Sequence, residues 1–344
     1  MTARSPSRTT VRAAKAAPIA PGEIRVLSHR GRITRDLEGA AALAELRLAV
    51  STRGATAWVD LTGPSPELVV QVAEILGMHP LLVEDLSERD QRAKLEQVDG
   101  LVHLVLFSLG YDGGTIYDRE LDFVLGPRFL FSSHSRWWDP RTTRHLRNDT
   151  SAILQQGLDH LLWTLCDDTI DAYFPLLDRL GDEIDALEDE VVGRPDRALL
   201  ERLFELKREL IMIRRVASPQ REMFNILSSR EIPVIRPERR IYFRDSYDHL
   251  IRLTDELDTY RELASATLET YLSTVNNYLS DVMKRLTGVT VVVAGVGAIG
   301  GAFGMSEAQY AFRGEEGPGF WIVLIGSLIL AVISTVVLRR IHWI

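Results

Sequence analysis

A single cysteine, Cys166, stands in the chain, so no internal disulfide can form, which is consistent with a reducing compartment. The eight histidines lack the paired Cys/His spacing of a zinc site, which argues against a dedicated thiolate or imidazole cage. No nucleophile–base arrangement and no phosphate loop in a fitting context is present, so an enzyme is the class least supported. Net charge is −8 with acids and bases interspersed, which argues against a nucleic-acid surface and allows a cation partner. Residues 1–22 contain no acid, but carry Arg4, Arg8, Arg12 and Lys15. They lack the apolar core of a secretory signal, share only composition with a transit peptide, and read as a disordered basic tail.

The other missing feature is charge in two long runs, Leu286–Met305 and Gly317–Leu338. Each has the roughly 20 apolar residues that cross a hydrocarbon core of about 30 Å, so both are predicted to be transmembrane helices. Lys284 and Arg285 precede the first run, and Arg339 and Arg340 follow the second. Basic flanks mark the cytoplasmic side. Both termini are therefore expected in the cytoplasm, with a short loop carrying Glu307, Arg313, Glu315 and Glu316 outside. Trp321 and Trp343 suit the membrane interfaces.

What precedes the runs is a large cytoplasmic part. From residue 23 to 139, β-rich runs at Ile24–His29, Ala57–Leu61, Leu101–Leu109, Leu121–Leu125 and Phe129–Ser133 are interspersed with helical patterns at Glu38–Ser51 and Pro66–Leu76. Gly113-Gly114 reads as a hairpin turn. This is an α/β or α+β domain. Beyond it, one helix is predicted over Thr150–Val192, broken by Gly193-Arg194-Pro195, and a second over Asp196–Ser229 with a kink at Pro219. The two should form an antiparallel hairpin over residues 140–239. Its first arm ends in Asp182, Glu183, Asp185, Glu188, Asp189 and Glu190. Its second arm carries Arg202, Lys207, Arg208, Arg214 and Arg215. Mutual pairing and a cation-attracting acidic tip both fit.

After Pro233 and Pro237, helical pattern resumes near Arg240 and meets no breaker before Gly288. Its apolar stripe is Leu257, Tyr260, Ala264, Leu268, Tyr271, Val275, Leu279, Val282 and Leu286. The spacing repeats every 11 residues, which favours a nearly straight or slightly right-handed bundle. A helix packed on its own domain is the plain alternative. Passage of the stripe into a membrane run favours a parallel bundle of several copies. Ser273, Thr274, Asn276, Asn277 and Ser280 supply uncharged polarity just inside the membrane, as the throat of a water-filled pore requires. Gly295, Gly297 and Gly300 fit a dinucleotide fingerprint, but inside an apolar span and without a preceding strand that reading fails.

Several segments, in order, carry a resemblance to a known family. They are His79-Pro80-Leu81 with Glu84-Asp85, Gln91-Arg92-Ala93-Lys94-Leu95-Glu96, Asp182-Glu183-Ile184-Asp185, Phe243-Arg244-Asp245-Ser246-Tyr247-Asp248-His249, Val282-Met283-Lys284-Arg285-Leu286-Thr287, Gly304-Met305 and the basic-Trp tail. Together they resemble the CorA-type magnesium and cobalt transporters over nearly the whole chain after Glu23. The resemblance implies a CorA-like homopentameric funnel. Its parts would be an α+β cytoplasmic domain (23–139), the helical hairpin (140–239), a stalk helix continuing into transmembrane helix 1 (240–305), an outer loop (306–318), transmembrane helix 2 (319–338) and a basic tail (339–344).

It further implies uptake of Mg²⁺ and Co²⁺, with Ni²⁺ or Zn²⁺ as further candidates, and regulation by cytoplasmic Mg²⁺ held between subunits at Asp85 and Asp245, with Glu84 in a lesser part. Mg²⁺ keeps most of its waters and needs only one or two carboxylates, which suits a site shared by two subunits. The plain alternatives are a helix-capping acid for Asp85 and a first-turn acid for Asp245. Pore-lining positions follow by helical spacing as Ser280, Met283, Leu286, Thr290, Ala294, Gly297 and Gly301, ending at Gly304, Met305 and Ser306. Met283 and Leu286 resemble a hydrophobic constriction, and the outer glycines serve either a wide lumen or close helix packing. The chain departs from the family at two places, where Ser306 and Ser280 stand for asparagines whose carbonyls meet the waters of a hydrated ion. That departure keeps open a ZntB-like zinc importer and a non-conducting, cation-sensing member.

Overall fold

The computed structural model describes residues 23–31, 33–88, 91–193, 196–312 and 319–340, and side chains within these except 148, 149, 299, 302–312, 319, 320, 322 and 323. The expected tail at 1–22, the Arg194-Pro195 part of the helix break and Trp343 lie outside the described residues. So do the side chains of Gly304, Met305 and Ser306. The chain divides into two compact units, Met1–Ile184 with Glu205–Leu263, and Asp185–Phe204 with Ala264–Ile344.

The first unit is built on a seven-stranded sheet. Its strands are β1 (Ile24–Arg30), β2 (Ile33–Glu38), β3 (Thr56–Thr62), β4 (Lys94–Val98), β5 (Leu101–Asp112), β6 (Thr115–Leu125) and β7 (Phe129–His134), in the order β2-β1-β3-β7-β6-β5-β4. Only β3 and β7 pair in parallel. Side chains alternate between the faces. Val59, Leu61, Val124 and Phe131 join one core with helices α1 (Gly39–Ser51), α2 (Pro66–Leu76) and α3 (Pro80–Ser87). Trp58, Leu104, Phe123 and Leu130 join the other. Both faces are therefore buried, which is why the inner strands read as nearly unbroken apolar runs. The Gly113-Gly114 turn is a two-residue hairpin loop between Asp112 and Thr115, and both glycines take positive φ (58° and 88°), as that turn demands.

The second core is completed by α4 (Leu146–Gln155), α5 (Leu158–Asp171), the end of α7 (Arg197–Ser229) and the start of α8 (Arg240–Phe312). The single helix expected over Thr150–Val192 is thus three helices: α4, α5 and α6 (Phe174–Val192). Gly157, at φ 117°, turns the chain between the first two. Pro175, at the start of α6, has no N–H to continue the ladder from α5. Helix α7 runs unbroken with Pro219 inside it.

Within the first unit, Arg179 of α6 pairs with Glu209 of α7 (2.9 Å). Within the second, Glu190 pairs with Arg202 (2.8 Å), Glu188 accepts from Thr267 (3.2 Å), and the Tyr271 hydroxyl donates to the Asp196 carbonyl (3.2 Å). The two arms of the hairpin therefore share some of their charge. Arg214 and Arg215 instead meet Asp258 and Asp118.

Helix α8 carries the 11-residue stripe, and its burial changes along the way. Leu257, Ala264 and Tyr271 are buried by the chain's own helices, whereas Leu279, Val282 and Leu286 are exposed. The plain alternative of packing on its own domain therefore holds as far as Tyr271 and no further. Among the described residues, no helix is long and apolar enough to cross a membrane. Both predicted spans run partly outside the described side chains. In α9 (Gly319–Arg340), Leu324, Ile325, Leu328, Val332, Ile333 and Val336 are all exposed.

Candidate metal centre

Helix α3 begins where His79 caps it, its Nδ1 accepting from the Leu81 amide (3.2 Å), with Pro80 at the first helical position. Leu82 and Leu86 anchor it in the core. Glu84 is left exposed and Asp85 partly so, directed at the edge of the sheet. There the Lys94 ammonium lies 2.6 Å from Asp85 Oδ2 and 3.2 Å from Glu96 Oε2. Burial lowers the Lys94 pKa, but hydrogen bonds to Asp85 and Glu96 outweigh it and the net shift is upward. Glu96 sits directly across the strand from His103. His103 is buried, its Nε2 lies 3.3 Å from Asp122, and its Nδ1 has no hydrogen-bond partner among the described residues.

Asp245 lies in the second turn of α8 and its side chain is 66% exposed. One turn later comes His249, whose Nε2 is 4.0 Å from Asp245 and whose Nδ1 is 3.1 Å from Asp171 Oδ1 on α5. Asp167, one turn before Asp171, accepts from the buried Ser246 hydroxyl (2.6 Å), which in turn accepts from the Trp163 indole (3.1 Å). Asp167, Asp171 and His249 bring potential ligand atoms within 4.8 Å of one another. Burial raises the Asp167 pKa above the usual carboxylate range; the Ser246 hydrogen bond opposes this and the Asp171 charge adds to it. A buried carboxylate under that strain, beside a second carboxylate and an imidazole, fits a divalent cation.

Asp85 and Asp245 are not brought together in one chain. Helix α3 packs on one face of the sheet, while Phe243 and Leu250 of α8 pack on the core of the other. The cluster of Asp167 and Asp171 with His249 was not singled out by sequence reasoning, because acids four apart on a helix read as a solvated face. The signal available was their spacing on α5 and the His four residues after Asp245.

Farther along α8, Ser280, Met283, Leu286, Thr290, Ala294, Gly297 and Gly301 are all exposed. Among the described residues, a Cβ built on Gly295, Gly297, Gly300 or Gly301 meets nothing within 4 Å. The same glycines lie inside a helix, not at a strand–helix turn, which removes the dinucleotide fingerprint.

The fold matches the complete structure of the CorA magnesium transporter from Methanocaldococcus jannaschii, with a TM-score of 0.77 at 21% identity over 93% of this chain and 98% of that one. It is a CorA-like fold, an α/β domain joined to a long helix. A family model described as CorA-like Mg²⁺ transporter protein matches residues 53–340. The cobalt/magnesium transport protein CorA of Thermotoga maritima is 33% identical over 292 residues, 83% of each chain. The CorA of M. jannaschii is 25% identical over 83% of this chain and 91% of its own length. The chain belongs to the CorA-like Mg²⁺ transporter family.

Proposed function

We propose that the chain is one subunit of a homopentameric divalent-cation channel of the cytoplasmic membrane that takes up Mg²⁺, with Co²⁺ and Ni²⁺ next. One observation carries the reading. A single helix, α8, bears Asp245 and His249 near its start and the exposed row Ser280 to Gly301 farther on. Cation occupancy at one end is thereby mechanically linked to the pore wall at the other. In this reading residues 240–305 are stalk and first span, 306–318 the outer connection, whose first residues as far as Phe312 continue α8, and 319–338 the second span, with both termini inside. The exposed apolar side chains of α8 beyond Leu279 and of α9 are covered by other copies and by lipid, since water does not leave so large an apolar surface bare.

Asp85 and Asp245, on opposite faces of one copy's sheet, meet between neighbours and share a Mg²⁺ that holds the funnel closed. Glu84 adds charge at its rim, and Asp167, Asp171 and His249 make a second cation position beside it. Low cytoplasmic Mg²⁺ empties these sites. Entry is driven by the membrane potential, about 2.3 kcal/mol per unit charge per 100 mV.

The test is ion flux in liposomes with Mg²⁺, Co²⁺ and Zn²⁺, with and without a pH gradient, for the native chain and Asp245→Lys. The expected result is Mg²⁺ flux that needs no pH gradient, and loss of Mg²⁺ block in the variant. Proton-dependent Zn²⁺ flux would favour a ZntB-like importer instead. Unchanged block in Asp245→Lys would remove the regulatory role.

A further inference from the structure

We propose that Lys94 is a tethered competitor for the divalent cation at Asp85, and so sets the cytoplasmic Mg²⁺ concentration at which that site fills. The inference rests on the reading of Asp85 as a regulatory ligand. Its basis is the geometry around the ammonium, 2.6 Å from Asp85 and 3.2 Å from Glu96. Asp85, Glu96 and His103 bring ligand-type atoms within 4.8 Å of one another. Lys94 and Glu96 belong to β4, with side chains on the face that α3 covers, so the ammonium is delivered from the sheet into the position a cation would take between helix and strand.

Two carboxylates share one positive charge there. The pair is attractive to a divalent ion, yet that ion must first displace an ammonium that never diffuses away. A tethered group competes at an effective concentration fixed by its stem and independent of the bulk. Lysine is suited to this because its ammonium is a compact charge on a flexible stem, free to swing to solvent once displaced. Release of Lys94 frees Asp85 for the neighbouring subunit, which couples filling of the site to the subunit contact.

The experiment follows Mg²⁺-dependent protection of the full-length protein from limited proteolysis, and Mg²⁺ inhibition of flux in liposomes, for the native chain, Lys94→Gln, Lys94→Met, Lys94→Arg and Asp85→Asn. Removing the ammonium should lower the half-protecting Mg²⁺ concentration about tenfold, the weight of one charge-assisted hydrogen bond. Lys94→Arg should stay near the native value. Lys94→Met keeps an apolar stem against the sheet and guards against a packing defect in Lys94→Gln. If Asp85→Asn leaves the native half-point unchanged, the reading of Asp85 fails and the inference with it. If Asp85→Asn removes the Mg²⁺ response while Lys94→Gln and Lys94→Met leave the half-point unchanged or raise it, Asp85 stands and the competitor role is overturned.

Discussion

The Nδ1 of His249 lies 3.1 Å from Oδ1 of Asp171, joining the third turn of α8 to the last turn of α5. As the cation position proposed above, the cluster with Asp167 would be more selective than a purely carboxylate site. Imidazole suits Co²⁺ and Ni²⁺, whereas Mg²⁺ favours oxygen donors and water. His249→Ala should therefore weaken Co²⁺ and Ni²⁺ binding by tenfold or more and Mg²⁺ binding by much less. Equilibrium dialysis of the purified full-length protein measures this, and an equal loss for all three ions would remove His249 as a ligand.

A second histidine gives a pH dependence. His160 stacks on Trp163, with ring centroids 5.1 Å apart, and lies edge-on to Tyr242. Burial, then the Arg239 charge, pushes its pKa down to about 4. Above the unfolded value of about 6.5 the ring is neutral in both states and contributes nothing to the pH dependence. Between about 6.5 and 4 the unfolded chain takes up a proton that the folded chain refuses, so stability falls with falling pH across that window. His160→Phe, which preserves the stacking, should flatten the melting temperature over that window. An unaltered slope would assign the acid sensitivity elsewhere.

The connector before α8 is held by Arg236. Its Nε donates to Asp159 Oδ2 (2.8 Å) and its Nη2 to Oδ1 (2.5 Å) and to the Gln156 carbonyl. Asp159 is only 4% exposed and has its pKa lowered: burial alone would raise it, but the hydrogen bonds and charge of Arg236 prevail. Arg236→Ala leaves a buried carboxylate without its counter-charge, held only by the backbone N–H groups of residues 236 and 160, and should cost about 3 kcal/mol in denaturant unfolding. Arg236→Ala with Asp159→Asn should recover part of it, and no recovery would show that the loss was one of packing.

How far the sequence reveals this molecule depends on which physical signal each part carries. The inner strands β3, β5, β6 and β7 are legible because both their faces are buried, and Gly113-Gly114 because two positive φ angles nearly require glycine. The edge strands β2 and β4 are missed, since Ile33–Glu38 and Lys94–Val98 are largely polar and show no buried face. The breaks around Gly157 and Tyr173 are missed because apolar periodicity runs through them. Asp85 and Asp245 stand in motifs, which is why the sequence offers them as expected ligands. Asp167 and Asp171 are not legible, because their meaning depends on Ser246 and His249 arriving from more than 70 residues away. The apolar stripe of α8 is visible throughout, but only the fold shows it dividing after Tyr271 into a part the chain covers itself and a part it leaves exposed.

That exposed part ends at Leu286, and Met283 lies one turn before it; the two are 59% and 60% exposed in one chain. In the proposed pentamer they ring the lumen, and a narrow apolar ring closes by dewetting. Leu286→Asn should let water persist there, raising Mg²⁺ leak severalfold at a cytoplasmic Mg²⁺ concentration that silences the native channel. Liposome flux at high internal Mg²⁺ reads the difference. Leu286→Ile, nearly equal in volume and apolar, should keep the block, so that a leak in both variants would point to damaged packing instead of a lost apolar barrier.

Ser306 poses the sharpest question about conduction. It falls within the span of α8, followed by Phe312 at the end of that helix. The family resemblance places an asparagine at this position, where a ring of carbonyl oxygens accepts hydrogen bonds from the waters of an arriving ion. Serine keeps an acceptor but shortens the reach, and its hydroxyl also donates, so its orientation is less fixed than that of an amide. A fully hydrated Mg²⁺ loses water reluctantly, which makes recognition through its waters decisive for that ion. Ser306→Asn should therefore raise Mg²⁺ uptake severalfold and favour Mg²⁺ over Co²⁺ more strongly than the native chain does. Ser280→Asn should act in the same direction at the inner end, and the double variant should exceed either. Matched flux measurements at equal protein density decide the matter. Native flux that asparagine lowers would mean the serines are tuned for another ion, whereas flux found only in the asparagine variants would make the native chain a cation-sensing member that does not conduct.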